Sequence, residues 1–238
     1  MPVFSVKARR REPEWMDQPG LDRTLHDQAL AGLRRVNRLS GTALWLWRPI
    51  ARLAKERAGQ TVRILDLASG GGDVAVGMAL AAGRANVPVE IAGCDVSASA
   101  VNHAQANAVR AGLDNVRFFV CDALEQELPA GYDVVTCSLF LHHLDDADAA
   151  QLLQKMAAAT QRLVLVDDLR RSRSGYALAW IGCQLLTRSP VVHTDGPRSV
   201  RAAFTLDEAA GLADRAGLAG CRIVPHWPAR FLLSWSKP

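Results

Sequence analysis

The sequence lacks any apolar run of about 18 residues, the length a helix needs to cross a bilayer. Its N-terminus has no apolar stretch of the secretory type. It also lacks a C-x-x-C pair. The five cysteines, Cys94, Cys121, Cys137, Cys183 and Cys221, are odd in number and stand apart. Such spacing excludes a zinc knuckle and offers no disulfide framework. Three of them lie in or at the end of apolar runs, where a thiol acts as a small core residue. The expectation is a reduced, cytoplasmic protein with no metal site. Aromatic residues are scarce around the two basic clusters, Lys7 with Arg9, Arg10 and Arg11, and Arg170 with Arg171 and Arg173. Neither cluster therefore has the stacking surface that single-stranded nucleic acid needs, and the first reads as a solvated arm.

What is present is ordinary globular composition: 238 residues, 49% hydrophobic, 22% charged, net charge +4. That suits one sizeable domain with a small addition. Residues 1–20 are polar and contain Pro2, Pro13 and Pro19, so loose structure is expected there. Leu25, Ala29, Leu33 and Val36 then recur at helical spacing, Gly41 interrupts, and Thr42 to Ala58 form a second helical piece carrying Trp45 and Trp47. Residues 1–60 thus read as a tail and helical cap.

Residues 61–238 alternate short β-branched runs with helical stretches. The strand candidates are Val62–Leu67, Val89–Asp95, Val116–Val120, Tyr132–Cys137 and Arg162–Val166; the helices are Asp73–Ala82, Ser97–Ala111 and Asp146–Ala159. Such alternation argues for an α/β fold, a doubly wound, mostly parallel sheet. Residues 172–203 break the rhythm with an apolar helical piece, Gly175 to Leu186, and read as a lid insertion. Thr205 and Glu208 have capping-box spacing. Cys221–Pro225 and Phe231–Trp235 follow, and five intervening residues permit an antiparallel hairpin but no parallel crossover. The sheet should have seven strands.

The segment Asp66-Leu-Ala-Ser-Gly-Gly-Gly-Asp73 follows the first strand and opens a helix. Its glycines let backbone N–H groups approach a ligand, at the carboxyl edge where such sheets bind. Gly70, Gly72 and Ala75 also fit the dinucleotide pattern G-x-G-x-x-A. The discriminating residue is Asp66: a carboxylate there repels a pyrophosphate and suits a ligand carrying an ammonium and a sulfonium. Asp95 and Asp122 end the next two strands. The first suits ribose hydroxyls; the second, with the Ala123 backbone, suits an adenine amino group. Each alone is also a good helix N-cap.

On these residues the chain resembles the class I S-adenosylmethionine-dependent methyltransferases, with their Rossmann-like sheet. ILDLASGGGD is similar to the family's first motif, IAGCDV to the second, CDALE to the third and YDVVTCSLFLHHL to the fourth. The resemblance implies S-adenosylmethionine as cofactor. It implies cofactor contacts at Asp66, Ala68, Ser69, Gly70, Gly72, Asp95, Val96, Asp122, Ala123 and Ser138. Ala68 replaces the family's first glycine. The overall pattern resembles bacterial methyltransferases of quinone and polyketide pathways. It implies a small lipophilic or aromatic acceptor, with oxygen favoured over carbon, acting without nucleic acid, as a monomer or homodimer.

Transfer to a phenolic oxygen benefits from a base. His142 and His143 follow the fourth strand at the substrate edge; of the two, His142 is the better base and His143 the better positioning residue. Trp45, Trp47, Tyr176 and Trp180 are candidates to face an aromatic acceptor, although core packing suits each of them better. His193 with Asp195 is a candidate polar pair within what reads as a flexible loop. Arg170 and Arg171 are candidates for an anionic substrate group, and Arg38 for the cofactor carboxylate. Two rival readings remain, a nicotinamide-dependent oxidoreductase and a non-catalytic cofactor-binding protein. An RNA methyltransferase acting on base nitrogen would want an N/D-P-P-Y-type motif where Cys137-Ser-Leu-Phe140 stands.

Overall fold

The computed structural model describes residues 6, 8–16, 20–57 and 59–238. Pro2, Lys7, Pro19 and Ala58, and the side chains of Leu33 and Arg38, lie outside the described residues. The chain begins with helices α1 (Arg23–Ser40) and α2 (Thr42–Glu56). It continues through β1 (Val62–Leu67), α3 (Asp73–Arg84), β2 (Val89–Asp95), α4 (Ala98–Arg110), β3 (Val116–Val120) and β4 (Tyr132–Ser138). After a 3-10 turn at Leu141–His143 come α5 (Asp146–Ala159), β5 (Thr160–Leu169), α6 (Arg173–Leu186), α7 (Pro190–Ala202) and α8 (Leu206–Arg215). The strands β6 (Arg222–His226) and β7 (Arg230–Ser236) close it.

The sheet order is β3-β2-β1-β4-β5-β7-β6. The first five strands pair in parallel, while β7 runs antiparallel to both β5 and β6. Alternation along the buried strands feeds two cores. Val62 and Ile64 of β1 pack with Trp47, Ile50 and Met78 from α2 and α3. Leu65 and Leu67 pack with Leu152, Leu153 and Leu212 from α5 and α8. Burying a side chain of this size contributes roughly 1.5–3 kcal/mol each, so both faces are held. The chain reverses its direction of winding between β1 and β4, and a crevice opens there beyond the strand ends.

The periphery departs from expectation in three places. The arm at residues 8–16 is anchored, not loose. Arg9 donates to the carbonyls of Ala202 (2.6 Å) and Leu144 (2.6 Å). The N–H groups of Trp15 and Met16 donate to the Asp195 carboxylate at 2.8 and 2.9 Å. His193 and Asp195 do not pair, and no flexible loop holds them. Both sit on α7, where His193 meets the Thr187 carbonyl and Asp195 serves the arm. Arg171 is buried and forked onto Glu208 at 2.6 and 2.8 Å, so it braces the start of α8 instead of meeting an anionic ligand.

Candidate active site

The glycine loop is built from the end of β1 upward. Ser69 donates its hydroxyl to the Asp66 carbonyl at 2.7 Å, and the Ser69 N–H donates to the Cys94 carbonyl at 2.9 Å. The Gly70 N–H donates to Asp95 Oδ2 at 2.9 Å, while Asp95 Oδ1 accepts from the Ser97 N–H at 2.9 Å. The second strand's acidic end therefore props the loop of the first. Gly70 adopts a φ of 51°, and a side chain added there would meet open space. Gly72 differs: a Cβ would run into Phe118 and Ala104, so its lack of a side chain lets α4 pack against the loop. Ala68, where the family pattern has glycine, also adopts a left-handed φ of 51°.

Asp66 lies beneath this loop, fully buried. Its Oδ1 accepts the Thr136 hydroxyl at 2.7 Å, and its Oδ2 has no hydrogen-bond partner. Burial pushes its pKa up to about 6, against the opposing effect of the Thr136 and Ser69 hydroxyls. An orphaned buried carboxylate oxygen next to a glycine loop is the kind of partner an ammonium group completes.

A cavity of about 520 Å³ opens above. Its walls take in Ala68, Ser69, Gly70, Ser138, His142 and His143. Six other candidates stand apart from those walls: Asp66 lies beneath the loop and Asp95 props it from behind, and four are farther removed. Val96 is exposed. Asp122 turns its Oδ1 back to the N–H groups of Leu124 and Glu125, at 2.9 and 3.2 Å. Ala123 is buried, and its carbonyl accepts from Lys155 Nζ at 3.3 Å. Gly72 faces α4. The proposed aromatic wall is corrected as well. Trp47 packs in the core and Trp45 stacks on His226. None of Trp45, Trp47, Tyr176 and Trp180 lines the cavity; Trp227 does, together with Leu178, Ile181 and Leu186 of the lid and its flank.

His142, also on the cavity wall, is held by Asp168 through both its backbone and its ring. Its backbone N–H donates to Asp168 Oδ2 at 3.1 Å, and its Nδ1–H donates to Asp168 Oδ1 at 2.7 Å. Its Nε2 lies 3.9 Å from Glu14 Oε1, which the arm brings in. Burial alone lowers the His142 pKa, but the charge and hydrogen bond of Asp168, with Glu14 behind them, raise it above its ordinary 6.5. Asp168 is correspondingly held below its usual range; burial opposes this, and His142 outweighs it. His143 packs against His142 with ring centroids 4.2 Å apart and planes tilted by 35°. Burial, then the neighbouring His142, drives its pKa down to about 3, so it stays neutral. Glu14, His142 and His143 bring ligating atoms within 4.8 Å of one another. Sequence reading found the histidines and missed Glu14 and Asp168. An Asp at the end of β5, repeating the acidic ends of β1 to β3, was the available signal for Asp168.

Comparison with known proteins places the fold among the methyltransferases. Residues 64–162 match the model of a family described as "Methyltransferase domain". The chain is 28% identical over 183 residues to a ubiquinone biosynthesis O-methyltransferase of Albidiferax ferrireducens, covering 76% of this chain and 62% of that protein. The chain spans between half and about three fifths of the length of the curated relatives it matches. Among solved structures it superposes on the apo form of the S-adenosylmethionine-dependent methyltransferase SibL with a TM-score of 0.64 at 22% identity, covering 93% of this chain and 60% of SibL. It superposes on NcsB1, an O-methyltransferase of neocarzinostatin biosynthesis, with a TM-score of 0.55 at 20% identity, over 74% of this chain and 49% of that one. The NcsB1 structure holds S-adenosyl-L-homocysteine and 1,4-dihydroxy-2-naphthoic acid. The fold is the Rossmann-like one of the solved methyltransferases it superposes on. Residues 64–162 match a methyltransferase domain, and the chain resembles the small-molecule members of class I.

Proposed function

We propose that the protein transfers the methyl group of S-adenosylmethionine to a hydroxyl of a small phenolic or quinone-like acceptor. The observation that carries this reading is a cavity whose walls include both the glycine loop and His142, whose ring is bonded to Asp168. S-adenosylmethionine, when bound, supplies an electrophilic methyl on a sulfonium. Asp66 offers its unpartnered Oδ2 to the amino group, and Gly70, propped by Asp95, offers close backbone approach. Asp73 opens α3 and lines the cavity, so a pyrophosphate at that helix N-terminus would face a carboxylate. That counts against the nicotinamide reading.

At the acceptor end, Asp168 fixes His142 with its proton on Nδ1, leaving Nε2 as the basic atom. His142 Nε2 takes the proton that the acceptor hydroxyl releases as its oxygen bonds to the methyl group. His143, neutral, packs at a tilt against the His142 ring and helps hold it in place. The lid supplies apolar walls that exclude water. An acceptor built in a quinone or polyketide pathway fits such a site; the named activity of the Albidiferax relative and the hydroxynaphthoate in NcsB1 point the same way. Calorimetry with S-adenosylmethionine and with NAD, followed by mass spectrometry of a panel of catechols and hydroxyquinols, tests the reading. Binding of NAD without S-adenosylmethionine would overturn the cofactor. Cofactor binding with no methylated phenol would leave only a binding protein.

A further inference from the structure

We propose that the mouth of the cavity docks on the surface of an anionic lipid bilayer. Three cavity-lining residues are also large, apolar and exposed: Leu39 at the end of α1, Ile181 on α6 and Trp227 at the hairpin. They are the rim. Trp180 lies beside Ile181, and Leu185, 78% exposed, lies one turn beyond it. Trp227 itself is 68% exposed. Monomeric soluble proteins scatter such residues singly; gathered around one opening they mark a surface that meets apolar matter.

The charge around the rim identifies that matter. Residues 28–55 and 169–194, the segments that supply α1's second half, α2 up to its last residue, Glu56, and α6, contain no acidic residue. The outward stripe of α6 runs from Arg173 through Trp180, Ile181 and Leu185 to Arg188 just past its end, all exposed. Arg35 donates to the Leu186 carbonyl at 3.1 Å and so sits against the C-terminal end of α6. Arg48 lies over Trp45, which stacks on His226 beside Trp227. An apolar centre with a cationic border is the pattern of interfacial helices on anionic membranes. A second copy of this chain is a poorer occupant. A two-fold contact would set one cationic border against another. Among the described residues no helix is long and apolar enough to cross a membrane, so the contact is peripheral. Docked this way, the cavity opens toward the phase in which a lipophilic acceptor dissolves.

Vesicle flotation at low salt tests this without any turnover assay, and so independently of the proposed reaction. The probes are vesicles of phosphatidylcholine alone and of phosphatidylcholine with phosphatidylglycerol. The parent should float only with the anionic vesicles, and added salt should weaken that binding. W180S/L185S, both outside the cavity wall, should lower the bound fraction about 10-fold or more. R35E/R48E should abolish the preference for anionic vesicles. A folded parent that stays unbound would overturn the proposal, as would W180S/L185S binding like the parent. So would sedimentation showing a non-floating dimer that W180S/L185S dissociates.

Discussion

The two parts of the proposed site are built on different plans. The proposed cofactor end is made from consecutive βα units: Asp66, Gly70 and Asp95 are joined through loops of a few residues and locked by bonds such as Gly70 N–H to Asp95. The proposed acceptor end is assembled from distant pieces. His142 comes from the turn after β4, Asp168 from β5, Glu14 from the N-terminal arm, and the apolar walls from α6, α7 and the hairpin. A local construction carries a signature that many chains share. A non-local one lets acceptor specificity vary while the cofactor site stays fixed.

If the division is real, substitutions at the two ends should fail differently. The largest effect belongs to the acceptor end. His142→Ala should cut kcat about 100-fold or more, with cofactor affinity unchanged by calorimetry. The pH dependence sharpens this. His142 must be neutral to accept a proton, and its pKa stands above 6.5 because of Asp168. The rate should therefore climb with pH through a point above 6.5, and Asp168→Asn should move that limb to lower pH while lowering kcat. A parent-like profile in Asp168→Asn would remove Asp168 from the role of positioning His142.

At the cofactor end the second effect is on stability. A carboxyl whose folded pKa is raised from 3.8 to about 6 stabilises the fold below 3.8, and that contribution is lost as pH rises through about 6. Asp66→Asn, neutral throughout, should make the cofactor-free protein more stable at pH 7.5 by up to about 3 kcal/mol and flatten its stability between those pH values. The same variant should bind S-adenosylmethionine more weakly. Denaturant melts at pH 4.5 and 7.5 decide it; a variant less stable than the parent at pH 7.5 would show that the orphan oxygen is satisfied. Asp95→Ala should weaken cofactor binding by roughly 1–3 kcal/mol, since it removes both the proposed ribose partner and the prop under Gly70. Unchanged affinity would end the ribose assignment.

The contrast in construction also explains what could be read in advance. The strands, the mostly parallel sheet, the hairpin and the glycine loop follow from periodicity and from residues close in sequence, and the structure carries them with shifts of one to three residues at element ends. Asp66 and Asp95 were visible because each ends a strand beside the loop. Asp122 was visible for the same reason, yet its Oδ1 closes its own turn, as an N-cap residue does. Glu14 was illegible: nothing in a polar, proline-containing segment says that Asp195 will accept the N–H groups of Trp15 and Met16 and so draw the arm over His142. Arg171 misled because a surface arginine and one forked onto Glu208 look alike until the chain folds.

The smallest effect is the finest probe of the local construction. Ala68 sits at a φ of 51°, where a Cβ crowds the backbone and costs an L-residue roughly 1–2 kcal/mol. Glycine would relieve that but enter the unfolded state with more freedom, at a cost of roughly 0.5–1 kcal/mol. Ala68→Gly should therefore gain only about 0.5 kcal/mol in a denaturant melt. Ala68 also lines the cavity wall between Asp66 and Gly70. Strain that persists at a ligand loop can hold it in its binding shape. If Ala68 does this, the glycine variant should bind S-adenosylmethionine slightly more weakly while melting slightly later. A variant that gains in both would show that the alanine is tolerated there and does not tune the loop.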